Sequence, residues 1–302
     1  MTEDPASNLS DTACILILAL EPDFTVLYAS PSIQYISGYT EQDLEGKSPF
    51  LIVHQEDIPR ISKELLVHTL ADGATVQIFY RLITQNGKTI ECESTITVVY
   101  DMIVATIGAY QETTKSKERA RTAPLVSLAF QKHSTISASL DQDSAHELRV
   151  ALILNRSSFS LPVMFASSQI AAMLNITPDE IKLTSLWDCM TEPSLEPTQL
   201  AFERAKDNEA VSYVTFTWQD PRSHLPDAFT KAVEAVICCS SDGILLIMRV
   251  LNSDEVSTAA SSSSFTNFIA LPPPVPFPST QLHSGMDTSE SEHNDSGSSS
   301  SK

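Results

Sequence analysis

Two hydrophobic spacings alternate along the chain. Cys14 to Leu20 is an almost continuous apolar run, and Thr25 to Ala29 is a second, shorter one. Runs of that length bounded by polar or proline-containing segments predict β-strands. Between residues 30 and 70 the spacing lengthens toward that of helices, and start signals accompany it. Thr40-Glu41-Gln42-Asp43 has the form of a capping box with Asp at its end, Ser48-Pro49 reads as a second cap, and Asp57 precedes the helical spacing of Ile61 and Leu65. Three further strands are predicted at Thr75 to Ile83, Thr89 to Val99 and Ile103 to Tyr110, the first two joined by the tight-turn sequence Gln85-Asn86-Gly87-Lys88.

The same order then recurs. Tyr28-Ala29-Ser30-Pro31-Ser32-Ile33 aligns without gaps on Phe165-Ala166-Ser167-Ser168-Gln169-Ile170, 137 residues later, and Thr40, Asp43, Ser48, Phe50 and Phe79 fall on Thr177, Glu180, Ser185, Trp187 and Phe216. Thr177-Pro178-Asp179-Glu180 is a full capping box, with proline at the first helical position. The second copy has strands predicted at Arg149 to Leu154, Pro162 to Ala166, Val211 to Trp218, Lys231 to Cys238 and Ile244 to Leu251. Strand, strand, helices and three strands make an α+β domain: a five-stranded antiparallel sheet with short helices on one face.

Composition places the boundaries. The expected organisation is a disordered N-terminus over 1–12, a domain over 13–113, a linker over 114–146, a second domain over 147–252 and a disordered, acidic Ser/Pro-rich tail over 253–302. The net charge of −19 divides into −11 before residue 113, +2 through the linker, −5 in the second domain and −5 in the tail. Acidic domains repel phosphate backbones, so direct nucleic-acid binding is not expected. None of the five cysteines forms a Cys-x-x-Cys pair, and no apolar run is long enough to span a membrane, so an intracellular protein of nucleus or cytoplasm is expected. Phosphate-binding loops, His-Glu-x-x-His and Gly-x-Ser-x-Gly motifs are absent, so no catalytic and no metal residues are assigned and no enzyme is expected.

Tyr28-Ala29-Ser30-Pro31-Ser32, Gly38-Tyr39-Thr40 with Asp43-Leu44 and Gly46-Lys47, His54-Gln55-Glu56-Asp57 and Ile78-Phe79-Tyr80-Arg81-Leu82 together resemble the PAS fold. The resemblance covers about residues 13–113; the second copy lacks the Gly-Tyr and Gly-Lys pairs. Within that family the first copy is similar to fungal White Collar-type regulators, especially the smaller subunit. The zinc finger of White Collar transcription factors is missing, and Ser48 to His54 holds no cysteine for a cysteinyl-flavin adduct, so that photochemistry is not implied.

The resemblance implies a PAS-mediated protein-interaction and signalling module. It would be a partner or modulator in transcription regulation, pairing with other PAS proteins as homo- or heterodimer. Ile15, Ile17, Ile96 and Val98 are the candidate interaction surface. The alternative is a small-molecule sensor, with haem, flavin or an apolar metabolite in a cavity lined by Tyr35, Phe50, Ile52, Leu65 and Phe79. Those large side chains equally fill a core of their own. His54 and His68 are the histidines a haem would use; the ordinary reading of His54 is a turn-fixing residue. No cofactor is assigned. In the tail, Leu271 to Pro278 favours polyproline II, and Ser289-Glu290-Ser291-Glu292 is a phosphorylation candidate.

Overall fold

Two sheets of five antiparallel strands stand back to back in the computed structural model, which describes residues 12–20, 23–70, 74–134, 147–208, 211–222 and 229–251. The expected N-terminal and C-terminal segments, with the polyproline and phosphorylation candidates, lie outside the described residues. The first sheet has the order β2-β1-β5-β4-β3, from β1 (Ala13–Ala19), β2 (Val26–Ala29), β3 (Val76–Ile83), β4 (Thr89–Val99) and β5 (Met102–Ala109). The second repeats it as β7-β6-β10-β9-β8, from β6 (Val150–Leu154), β7 (Val163–Ala166), β8 (Ser212–Gln219), β9 (Thr230–Cys239) and β10 (Ile244–Val250).

Helices cover one face of each sheet: α1 (Ile33–Ser37), α2 (Glu41–Leu44) and α3 (Ile58–Leu70) in the first unit, α5 (Ile170–Leu174), α6 (Pro178–Ile181) and α7 (Glu192–Asn208) in the second. Both capping boxes form. The Thr40 and Thr177 hydroxyls accept from the amides of Asp43 and Glu180, whose carboxylates accept from the threonine amides in return. This satisfies otherwise orphaned helix-start donors. Asp57 acts differently from a cap. Its carboxylate accepts from the Arg81 amide at 2.8 Å and the Arg81 guanidinium at 2.8 and 3.0 Å, tying α3 to β3. At the same place in the second unit Ser194 Oγ accepts from the Thr217 amide at 2.9 Å, so both copies use this position to dock helix on strand.

That pairing has a consequence in acid. Hydrogen bonds from Arg81 hold the Asp57 carboxyl below its ordinary 3.8, against the upward pull of partial burial. A depressed pKa contributes stability above the unfolded value, lost as pH falls through the folded one. Asp57→Asn is expected to cost about 1–2 kcal/mol at neutral pH. It should also flatten the fall in stability below about pH 4. Urea midpoints from neutral pH down to acid check this; parallel curves for both proteins would refute it.

Alternation on each strand sends one set of side chains under the helices and the other outward. Ile78, Leu82, Cys92, Ile96 and Ile103 join the core of the first unit, and Val214, Phe216, Trp218, Val233 and Ile237 that of the second. The outward set forms a third apolar cluster between the two sheets, including Ile15, Ile17, Val99, Val104, Ala151, Ile153, Val236 and Ile247. Sequence reading makes 114–146 a linker with no element assigned to it. Thr114–Ser134 is instead a helix, α4, that lies against β3 and β8 and buries Ala123, Val126 and Ala129. Among the described residues no helix is long and apolar enough to cross a membrane.

Candidate functional site

The interdomain face joins an apolar cluster to a polar rim. Ile15 is wholly buried there and Ile17 nearly so, facing Ala151 and Ile153 across the cluster. Gly243 sits where the sheets meet: a Cβ added to it would lie 2.9 Å from the Leu154 carbonyl oxygen and 3.8 Å from Ile15. Polar clasps close the rim. The Asp242 carboxylate, in the β9–β10 turn, accepts from the Ser32 amide at 3.0 Å, the Ser32 hydroxyl at 2.8 Å and the Ser30 hydroxyl at 2.5 Å. Ser241 and Ala13 exchange two hydrogen bonds, each 2.9 Å. Reciprocally, Gln169 donates from Nε2 to Asp101 at 2.9 Å, and Arg149 donates to the Val98 carbonyl at 3.0 Å.

Buried acids stiffen the same faces. Glu93, 3% exposed on β4, accepts from Gln77 at 2.7 Å, from Ser116 of α4 at 2.8 Å and from Arg119 of α4. This pins the linker helix to the first sheet. Glu234, wholly buried on β9, accepts from Tyr213 at 2.6 Å and from Arg249, which also meets Glu147. Burial and the neighbouring Glu234 push the Tyr213 phenol far up, so it stays a neutral donor.

The five residues considered for a ligand cavity do not converge. Ile52 and Leu65 are buried in the first core and Phe50 packs at its edge, in edge-to-face contact with Phe24. Tyr35 is 74% exposed on α1. Phe79 pairs with Glu93 on the outer face and meets the Tyr110 ring at 5.2 Å, on the far side of the sheet from Ile52. Of the interaction candidates, Ile96 belongs to the first unit's own core, and Val98, two residues on and so on the same face of β4, is fully buried. A pocket of about 20 Å³ on the outer face, bounded by Thr12, Ala13, Glu93, Thr106, Arg119 and Cys239, has room for a water and not for an organic ligand. His54 Nδ1 accepts weakly from the Glu56 amide at 3.4 Å, as expected of a turn-fixing residue.

Burial, with Asp242 nearby, raises the Cys14 thiol; burial likewise raises Cys92, Cys189 and Cys238, so these sulfurs are held neutral and unreactive. No group of three metal-ligating side chains occurs among the described residues.

The strand order and the helix-covered face are those of a known fold. Residues 26–103 match the family model described as the PAS fold. The second unit repeats the element order, strand order and register, and is PAS-like in architecture. Solved structures similar to part of the chain include the PAS-B domain of Drosophila melanogaster Cycle with bound ethylene glycol, 17% identical over 32% of this chain and 99% of that one, TM-score 0.30. The PAS domain of the Cronobacter turicensis RpfR quorum-sensing receptor in complex with BDSF is 13% identical over 33% and 95%, TM-score 0.30. A fungal LOV domain photoreceptor is 18% identical over 32% and 74%, TM-score 0.29.

Sequence reasoning named Ile15 and Ile17, which the structure buries between the two sheets, and passed over Asp242, Gln169, Glu93 and Glu234. The acids on β4 and β9 alternate with apolar residues, which reads as a strand with one wet face. One signal was present: Glu93 and Glu234 sit in equivalent strands of both copies.

Proposed function

We propose that this chain is a non-enzymatic protein-interaction and signalling module whose two PAS-type units form a pair within one molecule. The observation that carries the reading is the shared apolar face through Ile15, Ile17, Ala151 and Ile153, closed at its rim by Asp242 and Asp101. Each unit serves as the other's PAS partner. A PAS protein binding from outside, whether a second copy or a different chain, would displace one unit or use the surface left exposed. The likeness of the first unit to White Collar-type regulators supports a partner among transcription regulators.

The test uses the full chain. Light scattering is expected to give 33.0 kDa, and affinity capture with it as bait should enrich transcription regulators over a control bait. A well-folded chain that enriches none removes this reading.

One observation supports the sensor as a second reading, with the guest in the core of the second unit. Trp218 Nε1 and Thr198 Oγ1 are fully buried and have no hydrogen-bond partner in the protein. Such orphaned groups cost about 1–3 kcal/mol each unless a water or polar guest meets them. Native mass and the absorption spectrum decide: added mass or visible absorbance supports a ligand, and bare mass removes haem and flavin.

A further inference from the structure

The second unit carries an apolar patch built from two adjoining stretches of chain. Phe159, in the connection between β6 and β7, is 81% exposed, and Leu183, just after α6, is 67% exposed. The Leu183 amide donates to the Val163 carbonyl at 2.7 Å, beside the exposed Met164. The Ser185 hydroxyl donates to the Ser160 carbonyl at 3.0 Å. The Trp187 indole donates to the Phe159 carbonyl at 2.8 Å, and its ring meets the buried Phe202 edge-to-face.

The backbone at Leu183 sets this exposure apart from that of an ordinary surface leucine. Its φ is +65°, in the left-handed region that leucine rarely adopts. The repeat places Gly46 at the same position of the first unit, with φ +75° and nothing near an added Cβ. The register is secure there, because Phe24 and Leu161 are also equivalent and share φ of +49° and +45°. Pro22 is the first unit's counterpart of Phe159, so both large apolar side chains are particular to the second unit. Where Gly38 gives way to a larger residue, that residue is Asn175, which tolerates its φ of +56°. Leu183 suits neither its backbone nor water. A strained, solvent-facing apolar residue of this kind points to an occupant.

The chain itself carries one of matching chemistry. Phe265, Phe268, Ile269 and Leu271 fall close together in a Ser-rich stretch, and no Asp, Glu, Lys or Arg stands between Glu255 and Asp287. The patch lies at the end of β10 where Ile244 pairs with Leu154. Leu251 is therefore about 24 Å away along the strand, and β7 is about 10 Å to the side. Residues 252–264 span up to about 45 Å, so residues 265–271 reach the patch. Tethering on that scale holds them at an effective concentration of about a millimolar. A second copy of the chain would instead bring up another net charge of −19.

We propose that residues 265–271 dock on the Phe159–Leu183 patch of their own second unit. Burial of Leu183 and Phe159 under those aromatic and aliphatic side chains offsets the strain at Leu183. The docked segment closes this surface to outside partners until it leaves. The contact does not depend on the pairing of the two units.

A photo-crosslink in the full-length chain tests it. p-Benzoylphenylalanine in place of Phe268 is irradiated, and the adduct is mapped by mass spectrometry. The expected product runs at the mass of one chain and joins residue 268 to a peptide holding Phe159, Met164 or Leu183. Leu183→Asn, which keeps the left-handed backbone and removes the apolar side chain, should cut its yield about tenfold. Phe159→Ser should cut it similarly, and carries the measurement if Leu183→Asn fails to fold. A product at twice the chain mass makes a second copy the occupant and overturns the proposal. So does an adduct elsewhere on the chain, no adduct at all, or a yield that neither substitution lowers.

Discussion

Glu234→Ala is expected to lower the unfolding free energy by about 3–5 kcal/mol, the cost of stranding a buried charge. Glu234 is wholly buried and Arg249 is 2% exposed. Burial opposes the arginine's charge, but Glu147 and Glu234 outweigh it and its pKa is raised on balance. Deleting Glu234 removes the most deeply buried of those carboxylates and leaves the Tyr213 hydroxyl without its acceptor at 2.6 Å. The guanidinium keeps Glu147 and loses its wholly buried carboxylate partner. Replacing both partners, Glu234→Met with Arg249→Leu, should recover most of the loss, because the desolvation of two ions disappears together. Urea unfolding of the three proteins decides it. A single variant within about 1 kcal/mol of wild type would mean that the buried charge finds compensation elsewhere.

The corresponding site in the first unit shows why such groups escape a sequence reading. Glu93 lies on β4 as Glu234 lies on β9, but its cation comes from the linker, Arg119 of α4. In the second unit the cation, Arg249, is on the neighbouring strand. Periodicity registers only that Glu93, Thr95 and Thr97 share one face of a strand, and a polar face reads as solvent. Nothing local says that a helix and a second sheet will cover it. The linker's net positive charge was legible, and its use was not: Arg119 is spent on a buried acid and Arg121 on Glu118 one turn away.

What was legible is what local chemistry determines. The Thr40 and Thr177 boxes, the Asn86-Gly87 turn and the alternating strands each carry their own instructions, and the repeat fixed the domain count. The candidate cavity failed to assemble for a register reason. Phe79 and Tyr80 are neighbours, yet only Tyr80 faces the helices. A one-residue difference in strand phase exchanges core for surface, and a run such as Ile78-Phe79-Tyr80 is apolar in either phase. Ile96 was assigned outward for the same reason, in a strand where apolar residues occupy both faces near its end.

That phase distinction separates three substitutions of similar appearance. Ile15→Asp is expected to cost about 3–5 kcal/mol, since it buries an unpaired carboxylate. The site is wholly buried against Gly243 and Ile153. The damage should be confined to the joint. Ile15 contributes to the cluster between the sheets and not to either helix-covered core, so the amides of β3 and β8 should keep their protection while those of β1 and β6 lose it. Ile96→Asp strikes the first unit's own core and should expose β3 and β4 together while the second unit stays native. Tyr35→Ala, at a residue 74% exposed, should stay within about 0.5 kcal/mol of wild type. Residue-resolved hydrogen exchange distinguishes the patterns. If Ile15→Asp left the interdomain amides protected, the two faces would not be held together by this cluster, and the units would have to be joined chiefly by α4 and the clasps at Asp242 and Asp101.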